Sequence, residues 1–469
     1  MSRSKPVLFV AAMGYLVFLC IALIRWHLAP EVVLGLTIAG ISLVILSLRS
    51  YLGLHVFILA LFIENAFGSN ETISPMKVVG MVILVSWLVN VAVRRRTGIA
   101  LDGFAAVLLL FLIWSGVSLV FALDTQIALG RTFQYAQFTL TTLMFSSVVD
   151  TPARIRRVYW SFAIWTTLST VVALVMYYLG MTPSASGLLL NRNQLATYIN
   201  IAIICAYLLY METKVGLGRA VLITSLPVLF LGIGLTFSRG GLISLAVTLL
   251  VVWYRVARTG GFILLVGSIG MLGLLTYVLP KTFWQRAESI APSITQQEGT
   301  FGSRVRLWHC AMRMVEDRPM FGVGPGNFVR AYPRYARGRE RRYQALSCHN
   351  AFIGVTAEHG LPGGALFLLL CGFAIRAARR GIRIGKATAR TDLQNYAVVV
   401  EVSLLVLFIA GLTGDVYAMK CLWMFFGLAV ALQRMAERAL TENQALAAEA
   451  PAAVPMEGLP SWALARSRQ

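Results

Sequence analysis

Apolar runs about as long as a membrane span recur along most of the chain, separated by short polar stretches. A helix needs about 20 apolar residues to cross the hydrocarbon core of a bilayer, and in lipid it satisfies its own backbone hydrogen bonds. The pattern therefore predicts an all-α, polytopic integral membrane protein with about 12–14 transmembrane helices. The apolar runs are 6–24, 31–48, 51–67, 75–93, 102–122, 131–149, 156–179, 193–211, 218–237, 240–257, 261–280, 351–376, 395–414 and 418–435.

One long polar segment, 281–349, interrupts this pattern. We expect about 11 spans in residues 1–280, an outward loop at 281–349 and the last spans in 350–435. Residues 436–469 are rich in Ala, Glu, Pro and Arg, which predicts a disordered cytoplasmic tail.

The polar segment itself contains a helical pattern between 299 and 328. Ser303 is a suitable helix cap, which would place Arg304 in the first turn, and Pro319 would end the helix. Either this is a lid helix that offers arginines to a phosphate at the membrane surface, or it is an ordinary amphipathic surface helix. The predicted apolar face consists of Val305, Trp308, Met312 and Val315.

Composition excludes a soluble protein, because 58% of the 469 residues are hydrophobic, 13% are charged and the mean hydropathy is +0.74. The net charge of +21 would suggest nucleic acid in a soluble chain. Here the short basic loops all fall on one side when the N-terminus is placed inside, as the positive-inside rule requires. No nucleic-acid partner is therefore expected.

The polar segment departs from this charge bias, since it holds Lys281 and eleven arginines against five acidic residues on the outer side. Such a segment favours an anionic partner, such as lipid head groups, diphosphates or acidic glycans. Its most basic run is RYARGRERRY. The possible acceptor contacts in that run are Arg337, Arg339, Arg341 and Arg342.

Arginines also stand at the outer ends of two apolar runs. Arg239 lies in FSRGG, where it either holds a phosphate bidentately or reaches to the membrane interface. Arg192 and Asn193 lie in GLLLNRNQLATY, either as glycan or phosphate contacts or as part of a simple helix cap.

Two histidines occur in LSCHNAFIGVTAEHGLPGG. His349 stands at the border of the polar segment and an apolar run, as a proton acceptor or a hydrogen-bonded interface residue. His359 is about 15 Å further along a continuous helix, so the two cannot share a metal ion, and no metal or cofactor is predicted. Cys310 and Cys348 both lie in the outward segment, and a disulfide between them is left open.

Taken together, NRNQLA, TFSRGG, SRVRLWHCAM, RPMFGVGPGNF and CHNAFIGVTAEHGLPGG resemble the O-antigen ligase and O-antigen polymerase superfamily, over residues 187–372. The resemblance implies a metal-independent glycosyltransferase of the bacterial inner membrane, with its site facing the periplasm. Such enzymes move a glycan from undecaprenyl diphosphate to an acceptor hydroxyl. In ligases the acceptor is lipid A–core, and in polymerases it is another lipid-linked glycan.

The resemblance also suggests roles for residues. His349 would accept the proton of the attacking hydroxyl, while Arg239 and Arg304 would stabilise the diphosphate leaving group. Glu358 and Gly360 fill the acidic and glycine places of the family's histidine block, and His359 falls at a variable place. The predicted substrate-binding residues are Arg192, Asn193, Arg306, Trp308, Asn350 and Glu358.

Three alternatives remain open. Within the same chemistry, the chain could be a polysaccharide polymerase or a protein O-oligosaccharyltransferase. From a different class, it could be a transporter, which would predict ionisable residues near mid-helix and internal repeats. Few such residues and no repeat are evident in the sequence, and the polar groups cluster at one membrane face.

Overall fold

The computed structural model describes residues 50–63, 75–94, 102–189, 191–214, 216–256, 270, 273, 299–342 and 347–449. The predicted spans at 6–24 and 31–48, nearly all of the span at 261–280, and the end of the tail at 450–469 lie outside the described residues.

Within the described residues the chain forms thirteen α-helices and no strand, which confirms the all-α prediction. Three short 3-10 turns lie at Gly187–Leu189, Gly338–Arg342 and Val416–Ala418. The α-helices are α1 (Ser50–Ile63), α2 (Pro75–Arg94), α3 (Gly103–Val120), α4 (Thr125–Val148), α5 (Pro152–Tyr178), α6 (Arg192–Glu212), α7 (Leu217–Leu235), α8 (Arg239–Val256), α9 (Gly299–Asp317), α10 (Phe328–Tyr335), α11 (Ala351–Ala387), α12 (Thr391–Gly411) and α13 (Lys420–Glu449).

Six of the described helices, α3, α5, α6, α7, α11 and α12, are long and apolar enough to cross a membrane. Helices α1, α2 and α8 contain shorter apolar stretches. The protein is therefore an all-α, multi-pass membrane protein, as the pattern of apolar runs predicts.

Short connections join successive helices, so neighbouring helices run antiparallel and the bundle has two ends. We call one the site end, formed by the connections that follow α3, α5, α7 and α12. The other, the basic end, is formed by the connections that follow α4, α6 and α11.

Close helix packing holds the centre of the bundle. Gly427 of α13 lies against α4, where a Cβ atom would meet the carbonyl oxygen of Thr142 at 2.5 Å. The hydroxyl of Thr142 donates to the carbonyl of Trp423 at 2.9 Å. Contacts of this kind suit a membrane interior, where the hydrophobic effect does not drive helices together. Close packing at small residues and interhelical hydrogen bonds hold the helices together instead.

A second, smaller core lies outside the bundle, between α9, α10 and the start of α11. Helix α9 begins at Gly299, so Ser303 is inside the helix and the predicted cap is wrong. The predicted apolar face is also partly wrong, because Met312 is 46% exposed. The side chains that α9 does bury, against α10 and Ala357, are Leu307, Cys310, Ala311, Met314 and Val315.

Two other boundaries differ from the predictions. Helix α13 continues to Glu449, so residues 436–449, predicted to begin the disordered tail, are helical. Ala436 and Ala439 are buried in that stretch, which explains why the helix persists beyond the apolar run. Helix α11 is 37 residues long, with a kink at Gly360, where φ is 72°.

Candidate functional site

The N-termini of α6 and α8 lie side by side at the site end. Ser238 begins α8 by accepting a hydrogen bond from the N–H of Gly241 at 3.2 Å, and its hydroxyl donates to Oδ1 of Asn193 at 2.8 Å. Gly241 allows the close approach, because a Cβ there would meet Cβ of Ala196 at 2.6 Å. Each N-terminus carries partial positive charge, so the pair forms a favourable place for an anion.

Arg192 and Arg239 are the first residues of these two helices. The predicted substrate contact Asn193 uses its amide oxygen to tie the helices together, since that oxygen accepts from Ser238. Asn191 caps α6 by accepting from the N–H groups of Asn193 and Gln194. Asn191 thus supplies the helix cap and Asn193 the link to α8, while the two arginines lie at the helix N-termini.

Arg304 of α9 reaches the same place. Burial lowers its pKa, and the charges of Arg192 and Arg239 lower it further, whereas Asp415 acts in the opposite direction. Its Nε atom is buried without a hydrogen-bond partner. A helix outside the bundle therefore adds a third guanidinium to the two that α6 and α8 supply.

His349 precedes α11 in a left-handed backbone conformation, with φ of 53°. Its N–H donates to Oδ1 of Asp415 at 3.1 Å, and its Nδ1 lies 3.6 Å from Oδ2 of Asp415 and 3.1 Å from the hydroxyl of Ser347. This arrangement directs Nδ1 to the protein, so Nε2 is the ring nitrogen left to face a substrate. Burial lowers the pKa of His349, Asp415 raises it, and Arg304 lowers it.

Asp415 is absent from the sequence-based predictions. It lies in the turn GLTGDVYAMK between α12 and α13, which is a short polar turn at the same end as His349. The location of this turn at the same end of the bundle as His349 is the signal that could have identified Asp415 from the sequence. A carboxylate that orients an imidazole is a recurrent feature of proton-transfer sites.

Both the oxygen and the nitrogen of the Asn350 side-chain amide form hydrogen bonds with protein backbone. Its oxygen caps α11 by accepting from the N–H groups of Phe352 and Ile353, and its nitrogen donates to the carbonyl of Leu412 at 3.2 Å. It is 7% exposed. Asn350, predicted to contact substrate, thus joins the start of α11 to the turn that carries Asp415.

The segment 322–328, here called the glycine loop, docks on α11 just before its kink. The N–H of Val323 donates to the carbonyl of Ala357 and the N–H of Gly324 to the carbonyl of Glu358, both at 3.0 Å. The Glu358 carboxylate is 2% exposed and lies beside the N–H groups of Gly326 and Phe328. Glu358, predicted to contact substrate, therefore contacts the backbone of the glycine loop.

His359 is fully buried in the bundle. Its ring packs against Phe111 and Tyr135, with centroid separations of 5.5 and 5.3 Å, and its Nδ1 lies 3.2 Å from the carbonyl oxygen of Val355. The carbonyl of His359 accepts from the indole of Trp114. These contacts are those of a core residue, in accord with its variable place in the histidine block.

The remaining predicted contacts lie on the outer segment. Trp308 is half-buried, one turn of α9 beyond Arg304, whereas Arg306 lies within electrostatic range of Tyr332 of α10. Arg337 and Arg341 are exposed, and Nε of Arg341 donates to the carbonyl of Ala336. The side chains of Arg339 and Arg342 lie outside the described residues.

Cys310 and Cys348 are both free and buried within the smaller core. Burial raises the pKa of Cys310 to about 11 and also raises the pKa of Cys348. In this structure the two thiols act as small apolar groups and form no disulfide.

The arrangement combines three guanidinium groups and two helix N-termini with an imidazole held by a carboxylate. Such a site can hold a diphosphate and remove a proton from a nearby hydroxyl. Within the described part of the chain, no group of three or more His, Cys, Asp or Glu side chains is placed to hold a metal ion.

Fold and site together define a multi-pass membrane protein with a cluster of guanidinium groups and a carboxylate-held imidazole at one end of its helical bundle. Residues 220–368 match the family model described as O-antigen ligase, which confirms the resemblance to the O-antigen ligase and polymerase superfamily. The matched segment covers about a third of the 469 residues and supports an enzyme acting on lipid-linked glycans. No curated protein matches the chain.

The matched segment contains Arg239, Arg304 and His349, but neither Arg192 nor Asp415. Helix packing brings these last two residues to the site from either side of the segment. The charges of both residues act on Arg304, which lies in the matched segment.

Proposed function

We propose that the protein is a glycosyltransferase that moves a glycan from undecaprenyl diphosphate to an acceptor hydroxyl at the periplasmic face of the bacterial inner membrane. The O-antigen ligase reaction, with lipid A–core as the acceptor, is the leading assignment. The observation that carries the proposal is the convergence of Arg192, Arg239 and Arg304 beside the His349–Asp415 pair.

The three arginines are assigned to the donor diphosphate. As the bond between the anomeric carbon and the phosphate oxygen breaks, negative charge grows on the leaving diphosphate. Guanidinium groups already in place stabilise that charge without reorganisation. The N-termini of α6 and α8 add their dipoles at the same position. With this much positive charge, we propose that the transfer does not require a divalent metal ion.

His349 is assigned as the general base. Its Nε2 takes the proton of the acceptor hydroxyl while the oxygen of that hydroxyl forms the new bond to the anomeric carbon. The diphosphate departs with the electron pair of the bond that breaks. A single displacement of this kind inverts the anomeric centre. Asp415 holds the ring in the required orientation and stabilises the imidazolium that forms.

Transfer by the purified protein tests this proposal. The donor is a glycan on undecaprenyl diphosphate, and separate arms offer lipid A–core, a second lipid-linked glycan, or a serine-containing protein acceptor. His349→Ala should lower kcat by about 10²–10⁴-fold. Arg192→Gln, Arg239→Gln and Arg304→Gln should each lower it by about 10²–10³-fold.

Arg330→Gln is the matched control, because this exposed arginine lies on α10, in the same outer segment. It should transfer at the parental rate. Parental activity in His349→Ala would overturn the base assignment, and loss of activity with EDTA that a divalent ion restores would overturn the metal-free mechanism. The acceptor arm that turns over distinguishes a ligase from a polymerase or a protein transferase.

A further inference from the structure

A basic groove runs along α11 far from the candidate site. It has a volume of about 450 Å³ and is lined by Gly372, Ile375, Arg376, Arg379, Ile382 and Arg383. Beyond the kink at Gly360, helix α11 runs toward the basic end, and Phe373 packs against Gly103, the first residue of α3, with 3.7 Å between the Phe373 ring and a Cβ atom added at Gly103. Arg376, Arg379 and Arg383 follow Phe373 along the helix, so the arginines of the groove lie at the basic end of the bundle.

The arginines form one stripe, spaced i, i+3 and i+7 on the helix surface. Arg379 is fixed by an ion pair with Glu401 of α12, at 2.8 Å between Nε and Oε1, and Glu401 is 2% exposed. Arg376 and Arg383 are exposed, and neither forms an ion pair within the described part of the chain. The guanidinium of Arg379, held by Glu401, thus lies between those of Arg376 and Arg383, which are available to an anion.

The apolar lining is arranged along the same axis. Gly372 and Ile375 lie on the bilayer side of Arg376, while Arg383 lies furthest toward the basic end. A Cβ atom added at Gly372 would meet no other atom within 4 Å, so the groove is open at its apolar end. An apolar entrance that leads to a row of cations matches the two parts of a phospholipid, an acyl chain and a phosphate.

We propose that this groove binds an anionic phospholipid of the membrane leaflet at the basic end. The phosphate contacts Arg376 and Arg383, the fixed guanidinium of Arg379 lies between them, and the first part of an acyl chain lies along Ile375 and Gly372. The site is independent of the proposed transferase reaction, because it lies at the other end of the bundle. A zwitterionic lipid carries its own cation next to the phosphate, so it is a poorer match to three arginines.

Native mass spectrometry of the detergent-purified protein tests the proposal, with phosphatidylglycerol, phosphatidylcholine and glycerol 3-phosphate as probes. We expect retained phosphatidylglycerol, about tenfold weaker retention in Arg376→Gln/Arg383→Gln, and little retention of phosphatidylcholine. Arg330→Gln/Arg438→Gln is the matched control, because it removes the same charge from exposed positions outside the groove.

Equal loss in both double variants would show that net charge alone drives binding and would overturn the proposal. Tight binding of glycerol 3-phosphate would also overturn it, because the ligand would then be a soluble phosphate. An unchanged thermal transition in Arg376→Gln/Arg383→Gln establishes that a loss of lipid is not a loss of fold.

Discussion

At the scale of single residues, the chemistry of the candidate site depends on how Asp415 and Arg304 act on one imidazole. Burial favours neutral His349, the form that can accept a proton. Asp415 favours the protonated form and Arg304 the neutral one. The pKa of His349 is therefore lowered chiefly by burial, and two opposing charges from different parts of the chain also act on it.

These opposing charges predict opposite shifts in the pH profile. In the parental protein kcat/KM should rise as pH rises through the lowered pKa of His349, since the neutral ring is the base. Asp415→Asn removes a charge that raises this pKa, so the acid limb should move to lower pH. Arg304→Gln removes a charge that lowers it, so the limb should move to higher pH. Profiles of kcat/KM for the three proteins check the prediction, and shifts of the same sign in both variants would contradict it.

Gly360 is a residue whose replacement should damage the fold. Its φ of 72° and ψ of −179° suit glycine, and an added Cβ would collide with the carbonyl oxygen of Met320. Gly360→Ala should destabilise the protein by about 1–3 kcal/mol from backbone strain alone. Thermal unfolding in detergent measures the change. Gly116→Ala is the control, because a Cβ there meets no atom within 4 Å and should leave the transition unchanged or raise it.

At the scale of elements, the glycine loop and α11 hold the outer segment on the bundle. Asn327 extends this attachment, since its oxygen accepts from the N–H of Asp124 and its nitrogen donates to the carbonyl of Asp124, both at 3.0 Å. Arg304 lies on α9, which is joined to the loop through the turn at 318–321. The position of a charge at the site thus depends on contacts made by backbone elsewhere.

Removal of the Glu358 carboxylate should therefore loosen the glycine loop. In Glu358→Ala we expect faster hydrogen exchange at Gly326 and Phe328, together with a lower kcat, because Arg304 is held less firmly. Hydrogen exchange by mass spectrometry and transfer kinetics measure the two effects. Glu316→Gln, an exposed acidic position on α9, serves as the control. Unchanged exchange in Glu358→Ala would mean that the carboxylate does not support the loop.

At the scale of the whole molecule, the antiparallel helices place the candidate site and the basic groove at opposite ends. The basic end carries the short Lys- and Arg-containing connections, so the positive-inside rule predicts that it faces the cytoplasm. In the proposed reaction the site end faces the periplasm, where lipid-linked glycans and their acceptors meet.

Cysteine labelling checks this orientation in intact cells. Met181 is 65% exposed at the site end, and Lys386 is exposed at the basic end. Met181→Cys should react with a membrane-impermeant maleimide, whereas Lys386→Cys should react only after permeabilisation. The described native cysteines are all buried and should give little background. The reverse labelling pattern would invert the orientation and place the site in the cytoplasm.

From the sequence alone, hydropathy established the membrane class and the polar segment between spans, and the motifs predicted four residues of the candidate site, Arg192, Arg239, Arg304 and His349. A bilayer imposes a local length and polarity on each span, which hydropathy records directly. The same local reasoning misplaced the start of α9 and its buried face, because those depend on α10 and α11.

Only the tertiary structure joined Asp415 to His349, 66 residues apart along the chain, and placed Arg192 beside Arg239 and Arg304. Glu358 and Asn350, predicted as substrate contacts, are buried there and contact protein backbone. These outcomes depend on which helix faces and helix ends meet across the bundle. Such contacts follow from packing between distant segments, and the periodicity of any one segment does not contain them.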